Sequence, residues 1–517
     1  ALLSMARLVI LLFGLVGPWL LGVAVARWLL LGRTSCPVTP VAKLPISEQA
    51  GLGIVLGIGL TGWGLFLWSL VGGALDQTPS LIITGLGFAC AIPLTITWFK
   101  CRREPPVPRP ILTIEQRREN AFCRLCQIGI GCWIALAMVE SLLTPQRLWD
   151  ERAIFGIKAA VLFEDKSIRS RDLADADFVQ GHPRYPLLLP LAEEHIYALL
   201  GKVDDRLSKV IFPLLYAGLV LTTVGVLSRH LPRSLAWLWG VLQATVPALM
   251  PHEYGFLCGQ ADAPVACYHG VALLYAWDFL ERLCDQRQTV SVVGAAAVAG
   301  LCSGLTAFTK DEGIAFLMVD CTVLTLLVLI AISRAWSTGR PIAIASTTTP
   351  SIRPAFLTLL VFAGCAAVVL IPWFLHRRSL PHTTEMNYFG RLSPAFLLEK
   401  LSTLTWSIPH MAQRMFVEWR EWGFQWWLMV IALVLAPRQL ARRGQMLLLL
   451  DLLGAIAALL VAGMLAPVRL EEHLGGSSQR FLMQISPIAV LFAAGQSVRA
   501  RQPGQPIDVA QTKDSAL

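Results

Sequence analysis

Long apolar stretches are the feature that most constrains how this chain can fold. There are roughly thirteen, most of them close to the 20 or so residues that a helix needs to cross a bilayer core. Backbone groups find no water there, so stretches this apolar are predicted to be helices. With a mean hydropathy of +0.60 and 15% charged residues, the chain is expected to be an all-α polytopic membrane protein. The approximate limits are 8–30, 51–73, 80–98, 121–143, 208–228, 235–250, 264–281, 290–308, 314–333, 355–375, 424–437, 446–466 and 481–497.

Basic residues predict the orientation. The connection between the third and fourth spans holds Lys100, Arg102, Arg103, Arg109, Arg117, Arg118 and Arg124. The positive-inside rule places this connection in the cytoplasm, and alternation then puts the N-terminus outside. The first stretch is interpreted as an uncleaved helix rather than a signal peptide, because it is long and resumes after Arg27. The net charge of +9 is mainly a topology signal, since no basic face with interleaved aromatics indicates nucleic-acid binding.

The cysteines give no strong prediction of a metal site or of a disulfide framework. Cys123 and Cys126 have metal-like spacing, but no second ligand pair accompanies them, so small apolar side chains are the simpler interpretation. Cys258 and Cys267 are positioned to pair near the outer face. No convincing metal-ligand set is visible.

Two connections, about 144–207 and 376–423, are long enough to be functional or to contain helices of their own. In the first, apolar residues recur at helical spacing over 153–162, which predicts a helix lying in the membrane interface. A second helix is predicted over 186–200, with Glu193, Glu194 and His195 facing water.

Polar clusters mark the predicted outer ends of the spans. Asp150-Glu151 offers a carboxylate that could act as general base on an acceptor hydroxyl, or merely a helix cap. In His182-Pro183-Arg184-Tyr185-Pro186, the planar fork of Arg184 suits a phosphate, although a rigid turn with an interfacial tyrosine is the plainer alternative.

Three further groups are ambiguous when taken singly. Lys310, Asp311 and Glu312 make a tight charged turn that suits a wet cavity or an ordinary hairpin. Asp262 is either a helix cap or a site residue. Arg480 is the last residue of the predicted loop 473–480 and begins the last span. There it either meets a lipid-borne phosphate or snorkels at a helix end.

The order of these groups is more specific than any one of them. Trp149-Asp150-Glu151, Lys158-Ala159, the His-Pro-x-Tyr-Pro run, Gly259 to Pro264, Thr309 to Gly313 and His473 to Arg480 follow one another along the chain. This order resembles bacterial GT-C-type glycosyltransferases that use polyprenyl-phosphate sugars, a group related to protein O-mannosyltransferases and the lipid A aminoarabinose transferase. Gln260 and Asp311 depart from that group's usual tyrosine and asparagine, which leaves the donor sugar and the acceptor open.

The resemblance implies an inverting transferase in the bacterial cytoplasmic membrane, with its active site facing the exterior. Asp150 would be the base and Glu151 an assistant or a flanking residue, with the choice between the two open. No metal or other cofactor is implied; the partners would be a lipid-linked sugar donor and an envelope glycan, lipid or protein acceptor. The substrate-binding residues would be Lys158, His182, Arg184, Tyr185, Asp262, Lys310, Glu312, His473, Ser477 and Arg480.

The chain is divided accordingly into extra N-terminal helices with a cytoplasmic loop (1–120), a GT-C-like catalytic module (121–497) and a cytoplasmic tail of disordered composition (498–517). Alternatives are a flippase or exporter of lipid-linked sugars, a polymerase or ligase that uses the same carrier, and an inactive membrane scaffold. Transport is disfavoured by the lack of an internal repeat and by polar residues that collect at one face.

Overall fold

The computed structural model describes residues 5–31, 44–102, 112–178, 181–251, 253–283, 290–338, 353–381, 391, 393–466 and 470–498. All regular structure in this part of the chain is helical, which confirms the predicted class. Some residues used in the predictions lie outside the described ranges, namely Arg103, Arg109 and the tail from 499 to 517.

The α-helices follow one another in a simple order. They are α1 (Met5–Leu31), α2 (Ile46–Leu70), α3 (Gln77–Arg102), α4 (Ile114–Leu143), α5 (Ile157–Asp165), α6 (Leu188–Leu200), α7 (Ile211–Leu227), α8 (Arg233–Ala244), α9 (Asp262–Arg282), α10 (Val292–Thr309), α11 (Glu312–Thr338), α12 (Arg353–Arg377), α13 (Pro394–Lys400), α14 (Leu404–Phe416), α15 (Trp419–Trp422), α16 (Gln425–Leu435), α17 (Arg443–Leu465) and α18 (Leu470–Gln496). A π-helix, Asp150–Gly156, leads directly into α5, and short 3-10 turns occupy 207–210, 247–249, 401–403 and 437–441.

Eight helices within the described ranges are long and apolar enough to cross a membrane. Each of the thirteen predicted spans coincides with a helix, but α8 and α16 have only 12 and 11 residues. Helices this short fall well below the roughly 20 residues that a bilayer core requires. The polytopic class therefore holds, whereas the count of thirteen is not confirmed.

The central helix is α9, which packs against α7, α10, α17 and α18. All its residues from Asp262 to Leu280 are buried. It carries ionisable side chains at three levels, namely Asp262 at its start, His269 in its middle and Asp278 near its end. We call the end of the bundle at Asp262 the site end and the opposite end, at Asp278, the basic end.

At the basic end, Asp278 forms a buried ionic network. Its carboxylate lies 3.1 Å from Arg229 and 2.7 Å from His230, and it also contacts Arg282. Arg229 reaches Glu48 of α2 at 3.2 Å. The expectation that polar residues collect at one face is therefore wrong: buried charge occurs at both ends of α9 and between them.

The first three helices enclose α6. This helix packs against α1, α2 and α3, and all thirteen of its residues are buried. The prediction that Glu193, Glu194 and His195 face water is therefore wrong. His195 bonds instead to Ser80 Oγ at 2.9 Å and to the carbonyl of Gly14 at 3.1 Å, and Glu193 accepts a bond from Gln146 at 3.1 Å.

Local sequence explains several helix boundaries. Thr113 and Gln116 form a reciprocal capping box at the start of α4. Gly201 ends α6 with a φ of +66°, a conformation that favours glycine. Gly300 of α10 faces α12 so closely that a Cβ there would lie 2.2 Å from the carbonyl oxygen of Phe362. Small residues permit this approach between membrane helices.

Nine of the cysteines within the described ranges are free thiols. Cys258 and Cys267 are both free, so the pairing considered from the sequence is wrong. Cys123 and Cys126 are buried free thiols.

Candidate active site

Five residues from four separate parts of the chain meet at the site end. Asp262 lies at their centre, at the first residue of α9, with its side chain fully buried. Its Oδ1 accepts from Lys310 Nζ at 2.9 Å and from Gln484 Nε2 at 2.6 Å, while its Oδ2 accepts from Arg480 at 2.8 and 3.0 Å. The site cluster is defined as Asp150, Asp262, Lys310, Glu312 and Arg480.

Arg480 joins the buried carboxylate to a more accessible one. Its Nη1 lies 2.8 Å from Asp150 Oδ2, while its other edge holds Asp262. The side chains of Asp150 and Arg480 are 24% and 27% exposed. Asp150, the first residue of the π-helix, is thus held by a cation and is partly exposed.

Lys310 is the second cation of the site cluster. It follows the last residue of α10, and its Nζ lies 2.8 Å from Glu312 Oε1 as well as 2.9 Å from Asp262. Burial acts to lower the pKa of this ammonium, but the two carboxylates more than offset that effect and raise its pKa. Lys310 therefore stays charged at neutral pH.

Asp311, between these two residues, points to a different partner. It forms a paired contact with Arg377 of α12 at 2.8 and 3.1 Å. This salt bridge joins the turn before α11 to the end of α12.

Glu151 is placed quite differently from its neighbour Asp150. It is buried and accepts from the backbone N–H groups of Arg147, Leu148 and Gly259 at 2.8, 3.1 and 2.8 Å. Lys209 Nζ completes the set at 3.1 Å. Four donors occupy the acceptor sites of this carboxylate, which fixes the π-helix against the segment before α9.

Lys158, His182 and Tyr185 form a second group. Lys158 is fully buried; its Nζ donates to the carbonyl of His182 at 3.2 Å and lies 5.6 Å from the ring centroid of Tyr185. The His182 and Tyr185 rings stack with centroids 4.7 Å apart. His182 has a φ of +46°, an uncommon conformation for a residue with a side chain.

The His182 imidazole is held in its neutral form. Burial lowers its pKa most, Lys158 lowers it further, and Asp150 acts in the opposite direction. The influence of Asp150 indicates that it lies within electrostatic range of His182. Arg184 lies in the same turn and is partly exposed.

The segment predicted as a final outer loop is helical. The helix α18 begins at Leu470, so His473, Ser477 and Arg480 occur at helical spacing on one face, followed by Gln484. His473 is partly buried, with its ring 5.8 Å from that of Phe481. Among the described residues, neither His473 nor Ser477 forms a hydrogen bond or an ion pair with a member of the site cluster.

The second long connection contacts α18 beside the site through a different face, which carries Gly475 and Gln479. Arg414 of α14 lies 2.8 Å from Glu418 and donates to the carbonyl of Gly475 at 3.4 Å. Gln479 donates to Glu421 of α15 at 2.6 Å. The 376–423 connection thus contacts the helix that carries Arg480.

Sequence reasoning missed Gln484 and Lys209. Gln484 sits one helical turn after Arg480, so a helical reading of 473–484 would have placed both on the same face. Lys209 had no comparable signal, because its partner Glu151 lies near the opposite end of the long connection between α4 and α7.

No family model matches this sequence, and no curated protein matches it. Among solved structures, similarity is found to an oligosaccharyltransferase of Archaeoglobus fulgidus in complex with Zn and sulfate, at 12% identity and a TM-score of 0.36, covering 70% of this chain and 48% of that one. It is also found to the oligosaccharyltransferase AglB of the same organism in complex with an inhibitory peptide and a dolichol-phosphate, at 13% identity and a TM-score of 0.37, covering 75% and 53%. The chain thus spans about half the length of these neighbours. Both are oligosaccharyltransferases, but TM-scores at this level do not by themselves establish a shared fold or activity.

Proposed function

We propose that this protein transfers a sugar from a polyprenyl-phosphate donor to an envelope acceptor, such as a glycolipid, lipopolysaccharide or protein, at the outer face of the bacterial cytoplasmic membrane. The observation that carries the proposal is the site cluster itself. Its five residues come from motifs that are distant in sequence, and they meet at one end of a bundle of apolar helices.

The chemistry suits the two kinds of carboxylate in this cluster. Asp150 is accessible and would remove the proton from the acceptor hydroxyl as that oxygen attacks the anomeric carbon. Glu151 is saturated by four donors and would position the π-helix rather than take a proton. Asp262 is buried between two cations and would fix their positions.

The leaving group requires positive charge. As the acceptor oxygen bonds to the anomeric carbon, the bond from that carbon to the phosphate oxygen breaks, and the electron pair leaves with the polyprenyl phosphate. Lys310 and Arg480 would stabilise the developing phosphate charge, because preorganised cations act strongly in a site shielded from water. A single displacement of this kind inverts the anomeric carbon.

The remaining predicted residues surround this reaction centre. Lys158, His182, Arg184 and Tyr185 would contact the donor's sugar and phosphate, while His473 and Ser477 would line the same face as Arg480. The helices α14 and α15 are suited to shaping acceptor choice, since they bond to α18 next to Arg480. No step in this scheme requires a metal or another cofactor.

The test compares envelope glycans by mass spectrometry in a deletion strain that carries wild-type protein or Asp150→Asn. Loss of one defined sugar mass in the mutant, at normal protein level, supports the proposal and identifies the class of sugar. Asp205→Asn is the matched control, because Asp205 is an exposed carboxylate of the same connection. Identical glycans in the wild-type and Asp150→Asn strains would remove Asp150 as the base.

Export of a lipid-linked sugar is a second candidate, and one observation favours it. Ionisable residues occur within the helices as well as at the site end, and such residues often mark transport pathways. Purified protein in vesicles distinguishes the two: transport moves the lipid-linked sugar unchanged, whereas transfer releases polyprenyl phosphate. A polymerase or ligase would release the same kind of lipid carrier, so the mass of the glycan product distinguishes it.

A further inference from the structure

Three ionisable side chains meet in the interior of the bundle, away from the site cluster. They are His269 of α9, Asp320 of α11 and Asp451 of α17, each at most 1% exposed. His269 Nε2 lies 3.2 Å from Asp320 Oδ1 and 3.6 Å from Asp451 Oδ2. We call this group the buried acid cluster.

Its charges are not balanced by side chains. None of the ion pairs in the described part of the chain joins Lys or Arg to Asp320 or Asp451. Both carboxylate oxygens of Asp451 are buried, and the polar groups beside them in the described part of the chain are His269 Nε2, 3.6 Å from Oδ2, and the Asp320 carboxylate. Two carboxylates in a medium of low dielectric are very costly without a compensating cation, so this cluster requires a cation from outside, either a proton or a metal.

The geometry favours a metal. The three ligand atoms lie within 4.8 Å of one another. In tetrahedral zinc sites with bonds of about 2.0–2.2 Å, ligand atoms lie about 3.3–3.6 Å apart, and the two separations from His269 are close to this range. Imidazole and carboxylate together suit divalent transition metals.

Neighbouring residues fix the orientation of two ligands. Ser303 Oγ donates to Asp320 Oδ2 at 2.6 Å, which leaves Oδ1 directed toward His269. Phe316 stacks on the His269 ring with centroids 4.6 Å apart and planes 3° from parallel. Such outer-shell partners orient metal ligands and tune their affinity.

We propose that His269, Asp320 and Asp451 bind a divalent transition-metal cation such as Zn²⁺, with Ser303 positioning Asp320. The ion would neutralise both carboxylates and join α9, α11 and α17. His269 lies about two helical turns from Asp262, and Asp320 about two turns from Glu312. The metal would therefore fix the two helices that present these residues of the site cluster.

Cobalt provides the test. Full-length protein in detergent is stripped with a chelator and titrated with Co²⁺, whose visible absorption is intense in tetrahedral coordination, and bound Zn²⁺ is measured by elemental analysis. Wild-type protein is expected to bind either ion stoichiometrically. Asp451→Asn and His269→Gln are expected to abolish the cobalt bands, and Ser303→Ala to weaken affinity by about ten- to a hundredfold.

Glu194→Gln is the matched control, because Glu194 is also a buried acid without a hydrogen-bond partner among the described residues, but it lies on α6. It should bind metal as the wild type does. If Asp451→Asn fails to fold, Ser303→Ala carries the test, since it removes a single hydroxyl. The proposal is overturned if wild-type protein binds neither ion, or if Asp451→Asn binds as tightly as wild type. Shared protons, with His269 donating to Asp320, would give the first of these results.

Discussion

The site cluster and the buried acid cluster share two helices, α9 and α11, but their charges are arranged in opposite ways. In the site cluster, the carboxylates of Asp150, Asp262 and Glu312 pair with Lys310 and Arg480, and the Asp150 side chain is partly exposed. About two turns further along α9 and α11, Asp320 and Asp451 lie beside His269, the hydroxyl of Ser303 and each other, and no described Lys or Arg forms an ion pair with them. The difference indicates that side chains of the protein supply the counter-charges at the site cluster, whereas at the buried acid cluster a bound cation would supply them.

The largest expected effect is on catalysis. Asp150→Asn should reduce the rate of sugar transfer by about 10²- to 10⁴-fold, the usual contribution of a general base. Stability should change little, because Asp150 is partly exposed and Arg480 retains Asp262. The initial transfer rate and the unfolding temperature of purified protein measure the two effects. Full activity in this variant would show that Asp150 is not the base, and that the accessible carboxylate does not differ in role from the buried ones that support the site.

Glu151→Gln should show the converse profile. Lys209 would lose its carboxylate partner in a buried position, and breaking such a pair typically costs about 3–5 kcal/mol. The variant is therefore expected to unfold at a lower temperature in detergent and to lose activity in step with its folded fraction. A variant that keeps wild-type stability but transfers no sugar would instead identify Glu151 as the base.

Neutralising one buried acid in each cluster should change stability in opposite directions once metal has been removed. Asp262→Asn leaves Lys310 and Arg480 with one carboxylate fewer and should destabilise the protein by about 1–3 kcal/mol. Asp451→Asn removes an uncompensated carboxylate and should stabilise the metal-free protein by on the order of 1 kcal/mol.

Thermal unfolding in excess chelator measures both changes. Added Zn²⁺ should stabilise wild-type protein and leave Asp451→Asn unchanged, because only a folded state that binds the ion gains from it. If both variants were destabilised to the same extent in chelator, the contrast in charge balance between the two clusters would not hold.

The sequence predicted the helical spans well because they depend on local composition, and each predicted span coincides with a helix. The resemblance also named Asp150, Asp262, Lys310, Glu312 and Arg480. The structure brings these five residues together by tertiary packing, and their roles stay predictions. Hydropathy does not reveal which helices face one another. In the sequence there is only a single polar residue, in or beside an apolar stretch, at each of the positions His269, Asp320 and Asp451, and nothing indicates that the three meet.

Two errors had different causes, one local and one in tertiary packing. The paired glycines at 475–476 suggested a loop, whereas the spacing of His473, Ser477 and Arg480 fits a helix. The prediction for Glu193, Glu194 and His195 assumed that a connection between spans faces water. Here α1, α2 and α3 enclose that connection. The sequence of residues 186–200 contains no pattern that predicts this packing.

The smallest expected effect concerns protons at the edge of the site cluster. The pKa of His182 lies below its ordinary value of 6.5, mainly through burial and then through Lys158, so the unfolded chain binds this proton more readily than the folded one. The contribution of His182 to stability is therefore complete above pH 6.5 and is lost as the pH falls toward the lower pKa of the folded state. Unfolding temperatures of wild type and His182→Gln should diverge over this interval, with the wild type losing more on acidification. Superimposable pH profiles would show that Asp150 offsets the influence of burial and Lys158, and would make His182 a candidate for carrying charge to the donor phosphate.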